Sequence, residues 1–219
     1  MAKLILIRHG QSLWNALNVF TGWVDIPLSE KGIEEALAAG ELLKNETIDI
    51  VFVSTLCRAL MTGMLVMAKN KMSKAPRIVG KDADLCNLDI KEMTTPVIQA
   101  EAINERMYGK LQGRNKDEVK KEFGEEQFKI WRRGYDTPPP EGESLKMTAE
   151  RALPYFNKEI AAQLQSGKNV LVSAHGNSLR AIIMHLDQLS EEQVCKLEVP
   201  TGKPIIYTFE NGTFTKAST

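Results

Sequence analysis

Three short, unbroken apolar runs punctuate the chain: Leu4-Ile5-Leu6-Ile7, Ile50-Val51-Phe52-Val53 and Val170-Leu171-Val172. Each is rich in β-branched residues and too short for a helix, which predicts strands buried on both faces, as in a parallel sheet. Longer stretches with apolar residues three and four apart lie between them and predict helices. One follows Ser29, a good N-cap, through Ile33, Leu37 and Leu42-Leu43. A second follows Ser54-Thr55, read as its caps. A third runs from Ser144 through Leu145, Ala149, Leu153, Phe156, Ile160 and Leu164, with Pro154 expected to kink it. A fourth carries Leu179, Ile182, Ile183 and Leu186. Gln11 to Ala16 predicts a short helix, Arg77-Ile78-Val79 a strand, and Phe123, Phe128 and Trp131 anchor two further amphipathic helices. Ile205 to Phe209, Asn211-Gly212 and Thr213-Phe214 predict a terminal hairpin. The least legible stretch is Asp82 to Ala102, with a short helix expected from Val97 to Ala102. Strands alternating with helices predict the α/β class: a single three-layer domain, residues 1–219, with a mostly parallel central sheet flanked by helices. No repeat or low-complexity linker divides it.

The strand ends carry the candidate chemistry. The first run closes in Arg8-His9-Gly10, and the last closes in Ser173-Ala174-His175-Gly176. The chain has 3 histidines, and two of them stand in these His-Gly pairs. Ligands of open α/β sheets gather at the carboxyl ends of the parallel strands. Adjacent strands would therefore bring His9 and His175 into one site. Arg58 falls in the first turn of the helix after the second run and aims a cation at the same edge. Gly22 lets a loop approach a ligand closely. The remaining histidine, His185, sits mid-helix without flanking chemistry and reads as structural or surface.

Bulk properties narrow the partners. Lys plus Arg and Asp plus Glu both number 28, so no global field draws the chain to nucleic acid or to an anionic membrane. An anionic ligand would need basic residues concentrated locally. Cys57, Cys86 and Cys195 are scattered, with no His/Cys cluster, so no metal is expected. Met1 leads straight into a core strand, and no apolar run approaches the ~20 residues of a membrane span. The expectation is a soluble cytoplasmic protein.

Beyond these readings, the residues from Arg8 to Gly32 resemble a known family. Arg8-His9-Gly10-Gln11-Ser12, Trp14-Asn15, Phe20-Thr21-Gly22-Trp23 and Leu28-Ser29-Glu30-Lys31-Gly32 are similar to the cofactor-dependent phosphoglycerate mutases of the histidine phosphatase superfamily. Ser54-Thr55-x-x-Arg58-Ala59, the block Glu105-Arg106-Met107-Tyr108-Gly109-Lys110-Leu111-Gln112-Gly113 with Lys116, and Trp131-Arg132-Arg133 extend the match. Met107 departs from it, standing where many members carry His. The chain between Arg58 and Glu105 is longer than in those relatives, which suggests an insertion.

The resemblance implies a phosphoglycerate mutase-like fold and a set of roles. His9 would be the phosphorylated nucleophile, His175 would stabilise the phosphoryl group in transfer, and Glu105 would carry the proton. Arg8, Ser12, Asn15, Thr21, Gly22, Arg58, Arg106, Tyr108, Lys116, Arg132, Arg133, Gly176 and Asn177 would bind substrate. The implied reaction interconverts 2-phosphoglycerate and 3-phosphoglycerate, primed by 2,3-bisphosphoglycerate and without a metal. No Asp-rich or Gly-x-x-x-x-Gly-Lys site is visible, so arginines would offset phosphate charge. The implied partners are small phosphoglycerates, with neither nucleic acid nor membrane; a homo-oligomer is compatible. The alternatives are a histidine phosphatase or bisphosphoglycerate synthase/phosphatase on the same site, and a non-catalytic phospho-ligand binder.

Overall fold

The computed structural model describes residues 1–80 and 90–217. Among the described residues, seven strands form one sheet: β1 (Ala2–Arg8), β2 (Ile50–Val53), β3 (Ala75–Ile78), β4 (Thr94–Gln99), β5 (Val170–Ala174), β6 (Pro204–Glu210) and β7 (Thr213–Lys216). Their order is β3-β4-β2-β5-β1-β6-β7. All pairs from β3 to β1 are parallel, while β6 and β7 close the other edge antiparallel.

The apolar runs explain this arrangement. Leu4 and Leu6 face one core while Ile5 and Ile7 face the other, and all four are 0% exposed. Each such side chain contributes about 1.5–3 kcal/mol on burial. Val170 and Val172 oppose Leu171 in the same way, and Ile50 and Phe52 oppose Val51 and Val53. A strand apolar on both faces needs a helical layer on each. Helices α2 (Glu30–Leu42) and α3 (Cys57–Lys69) supply one, through Ala39, Val66 and Met67. Helices α7 (Leu145–Tyr155), α8 (Ala161–Gln165) and α9 (Gly176–Leu186) supply the other, through Leu164, Leu179 and Ile182.

Ser29 and Ser144 cap α2 and α7 by accepting hydrogen bonds from Gly32 N and Met147 N. Pro154 is followed by a π-helical turn, Phe156–Ile160, before α8 begins. The missing N–H of Pro154 removes one helical hydrogen bond within α7. Asn211 and Gly212 both have positive φ, 51° and 81°, as a tight hairpin turn requires.

Two expectations are corrected. Val97 and Ile98 belong to β4, paired with Val51 and Phe52, not to a helix. The β-branched Thr94, Thr95, Val97 and Ile98 prefer the pleated surface, and Pro96 is tolerated because pairing with β2 starts only at Val97. Part of the suspected insertion is thus α4 (Ile90–Met93) and an interior strand; residues 81–89, Cys86 included, lie outside the described residues. Secondly, α3 is preceded by Leu56 as N-cap with no side-chain cap. Ser54 and Thr55 are committed elsewhere: the Thr55 hydroxyl donates to Asn104 Oδ1. His185 is exposed, 6.3 Å from the Phe156 ring.

Helices α5 (Lys116–Phe123) and α6 (Glu125–Arg133) stand apart from the two main layers. Val119 and Trp131 pack on Phe20 and Leu111 in a third, small cluster. That cluster brings their basic residues to the carboxyl edge of the sheet.

Candidate active site

His9 and His175 follow neighbouring parallel strands in register, with Arg8 opposite Ala174. The His9 N–H donates to Ala174 O, and the two imidazoles meet with centroids 4.9 Å apart. Both are buried. His9 Nδ1 lies 2.7 Å from Gly10 O. A carbonyl can only accept, so Nδ1 carries the proton and Nε2 keeps its lone pair. Burial, then the Arg58 and Arg8 charges, hold the His9 pKa well below the usual histidine value. His175 is held low by burial, Arg58, His9 and Arg8. Its Nε2 lies 2.7 Å from Ser54 Oγ.

The glycine after His9 is required by packing. A Cβ on Gly10 would stand 2.2 Å from Gly32 O, and one on Gly32 2.0 Å from Gln11 O. Two backbones touch there, which seats the first turn of α2 against the loop that orients His9.

His9 opens into a cavity whose wall carries Arg8, Arg58, Lys116, Arg132, Arg133 and Arg180 against Glu105 and Glu198. A chain of zero net charge thus concentrates its cations locally. Arg58 is 1% exposed. It donates to Gly22 O (2.7 Å) and Val24 O (3.0 Å), so it also fixes the loop after Thr21. Burial lowers its pKa, and the Glu105 charge pulls the other way. Arg8 donates to Val199 O. Lys116, at the start of α5, lies 5.7 Å from the Phe20 ring centroid and is lowered in pKa by burial. Arg133 pairs with Glu198 at 2.5 Å. Asn15, Thr21, Gly22, Tyr108, Gly176 and Asn177 complete the wall. Arg8 Nε, Thr21 Oγ1 and Arg180 Nε are buried there without a hydrogen-bond partner among the described residues. Buried orphan donors of this kind suit a multiply charged oxyanion.

Glu105 faces the cavity from a stretch without regular structure. Its Oε1 accepts from Arg106 N, Asn177 N and Asn177 Nδ2 at 2.8–3.1 Å. Its Oε2 is in none of the described hydrogen bonds; a Cβ added to Gly176 would lie 3.7 Å from it and 3.6 Å from the Arg8 guanidinium.

Ser12 and Arg106, which the resemblance implies as substrate-binding residues, are buried beside the cavity wall. Ser12 caps α1 (Leu13–Ala16) and exchanges hydrogen bonds with Asn15. Arg106 is fully buried and donates to Tyr108 Oη (3.2 Å) and Arg132 O (2.8 Å). Both residues hold wall residues in place.

Comparison with known proteins gives the family. The model of the histidine phosphatase superfamily, branch 1, matches residues 4–90 and 83–218. A 2,3-bisphosphoglycerate-dependent phosphoglycerate mutase of Chlamydia muridarum is 54% identical, covering 100% of this chain and 98% of that protein. Another, from Protochlamydia amoebophila, is 53% identical over 99% of each chain. The chain belongs to the 2,3-bisphosphoglycerate-dependent phosphoglycerate mutases of the histidine phosphatase superfamily.

Solved structures share the fold. Bacillus stearothermophilus YhfR superposes with a TM-score of 0.78 at 23% identity, covering 99% of this chain and 96% of its own. The Entamoeba histolytica phosphoserine phosphatase solved with 3-phosphoglyceric acid gives 0.72 at 23%, covering 100% and 96%.

Two site residues of this mutase-family chain, Arg180 and Glu198, escape a reading of motifs, and Ser54 enters it only as part of the motif around Arg58. Arg180 stands four residues after Gly176, a spacing that puts both on one helix face, but its apolar neighbours mask it. Ser54 resembles a helix cap. Glu198 carries no sequence signal.

Proposed function

We propose that this chain interconverts 2-phosphoglycerate and 3-phosphoglycerate through a phosphohistidine at His9. The observation that carries the reading is the state of His9: neutral, with its proton fixed on Nδ1 and Nε2 left as nucleophile in a cavity bearing six cationic side chains. Nε2 attacks phosphorus as the phosphoryl–oxygen bond of the donor breaks. Arg8 and Arg58 offset charge on the equatorial oxygens. His175, its pKa held low beside them, stabilises the group in transfer. Glu105 Oε2 gives a proton to the departing hydroxyl oxygen and takes one from the hydroxyl that attacks next. Lys116, Arg132 and Arg133 hold the substrate's second anionic end. The orphan donors around the cavity fit 2,3-bisphosphoglycerate, which when bound supplies the phosphoryl group that loads His9. We read residues 1–219 as one catalytic domain, working in the cytoplasm in glycolysis and gluconeogenesis.

The decisive test is incubation with 3-phosphoglycerate, with and without 2,3-bisphosphoglycerate. The expected result is 2-phosphoglycerate, formed far faster with the bisphosphate. Release of free phosphate without 2-phosphoglycerate would overturn the reading in favour of a phosphatase.

Two further outcomes are expected. Replacing Arg132 and Arg133 together by alanine should cost mutase turnover more than hydrolysis of a simple phosphomonoester, which has no second anionic end. Equal losses on both substrates would refute that role. In the pH profile, protonating His9 removes the nucleophile, and its pKa lies well below the ordinary 6.5. The acidic limb of the rate at which the unloaded enzyme takes phosphoryl from 2,3-bisphosphoglycerate should therefore fall below pH 6.5, and a limb above it would contradict the assignment. Stability follows the same sign. The unfolded chain takes up histidine protons that the folded one resists, so stability should be full above 6.5 and fall as pH drops through lower values.

A further inference from the structure

Glu105 lies between two 3₁₀ turns, Glu101–Ile103 and Gly109–Leu111, and belongs to no helix or strand. Backbone groups of such a buried stretch must find partners outside regular structure. One side chain serves three of them. Arg151, on α7, donates through its terminal nitrogens to Ala102 O (2.9 Å), Asn104 O (3.1 Å) and Glu105 O (2.8 Å). The same guanidinium is gripped bidentately by Glu143, with Nε to Oε1 and a terminal nitrogen to Oε2, both at 2.9 Å. Glu143 Oε2 in turn accepts from Met107 N at 3.0 Å, and Glu143 N donates to Met107 O. The backbone is therefore pinned just before, at and just after the residue whose carboxylate faces the cavity. Trp23 joins the assembly: its indole N–H donates to Glu105 O, and the Arg151 guanidinium lies 5.4 Å from the Trp23 ring centroid. Burial works against the charge of Glu143, yet Arg151 and the Met107 N–H outweigh it and hold its pKa below the usual carboxylate value.

We propose that Arg151, locked by Glu143, is a positioning residue for the proton carrier, fixing where Glu105 Oε2 points by clamping the backbone around it. The proposal rests on Glu105 carrying the proton. Neither Arg151 nor Glu143 lines the cavity, so substrate binding gives them no direct work. A guanidinium fork can hold Glu143 and three carbonyls at once, whereas a lysine ammonium cannot.

The test is a double-mutant cycle on the full chain. Misplacing a catalytic group by about 1 Å can cost on the order of 10²-fold in rate. Arg151→Lys should therefore lower kcat by roughly 10–100-fold while KM for 3-phosphoglycerate stays within about threefold. In a Glu105→Gln background the same change should cost less than about threefold, because no proton carrier remains to misplace. Equal losses in both backgrounds, or a rise in KM in place of the fall in kcat, would overturn the proposal. If Arg151→Lys fails to fold, Glu143→Gln replaces it in the cycle with the same two outcomes. The reading of Glu105 is checked separately: if Glu105→Gln alone leaves turnover unchanged, the proton-carrier assignment falls on its own.

Discussion

His9→Ala is expected to yield a protein that takes up no phosphoryl group and has lost turnover by a factor on the order of 10⁴ or more, the scale of removing a covalent nucleophile. No neighbour can substitute. His175 lies 4.9 Å away ring to ring, but its Nε2 is engaged with Ser54 Oγ. The variant should fold, since the deleted ring lies at the carboxyl end of β1 and leaves the four-residue apolar run intact. The measurement is exposure to radiolabelled 2,3-bisphosphoglycerate, denaturation, and counting of label that is acid-labile and base-stable. Such label on the His9→Ala protein would sink the assignment.

Glu105→Gln should lower turnover by roughly 10²–10⁴, the usual worth of a positioned acid–base group. The substitution is a clean probe because of how the carboxylate is held. All three donors to Glu105 converge on Oε1, and an amide oxygen can accept from the same three. Shape and hydrogen bonding survive, and what disappears is the capacity of the other oxygen to exchange a proton. Binding of phosphoglycerate, measured by calorimetry, should therefore change little. Turnover within about threefold of the parent would mean that the proton travels by another route.

The parts of the molecule that were legible in the sequence are those where one physical demand dominates. Leu4 to Ile7 and Val170 to Val172 are buried on both faces, and only apolar residues satisfy that. The histidines that end these strands stand out because each interrupts such a run with a polar ring and a glycine. Strand β4 was obscured because demands compete there: Thr95 and Val97 are buried, while Pro96 between them reads as a breaker. Arg180 was obscured for the opposite reason, since it sits on a helix that otherwise serves the core. Arg106 stands in a legible motif, but a motif specifies that an arginine is needed, not that its guanidinium contacts Tyr108 and Arg132.

The neighbours of β1 also carry a consequence for how the molecule is made. Leu4 pairs with Val170 on one side and Tyr207 on the other, so the strand that delivers His9 is enclosed by segments translated much later. Contacts of such long sequence separation are slow to form, because a large loop must close before they are rewarded. A growing chain holds Arg8 and His9 early but has no partner for either edge of β1 until β5 and β6 emerge. Until then the apolar run from Leu4 to Ile7 is a bare two-edged strand, the form most prone to pair with another chain. Catalytic competence should accordingly be among the last properties to appear on refolding, and it reports docking of the sheet's centre as much as chemistry at its edge.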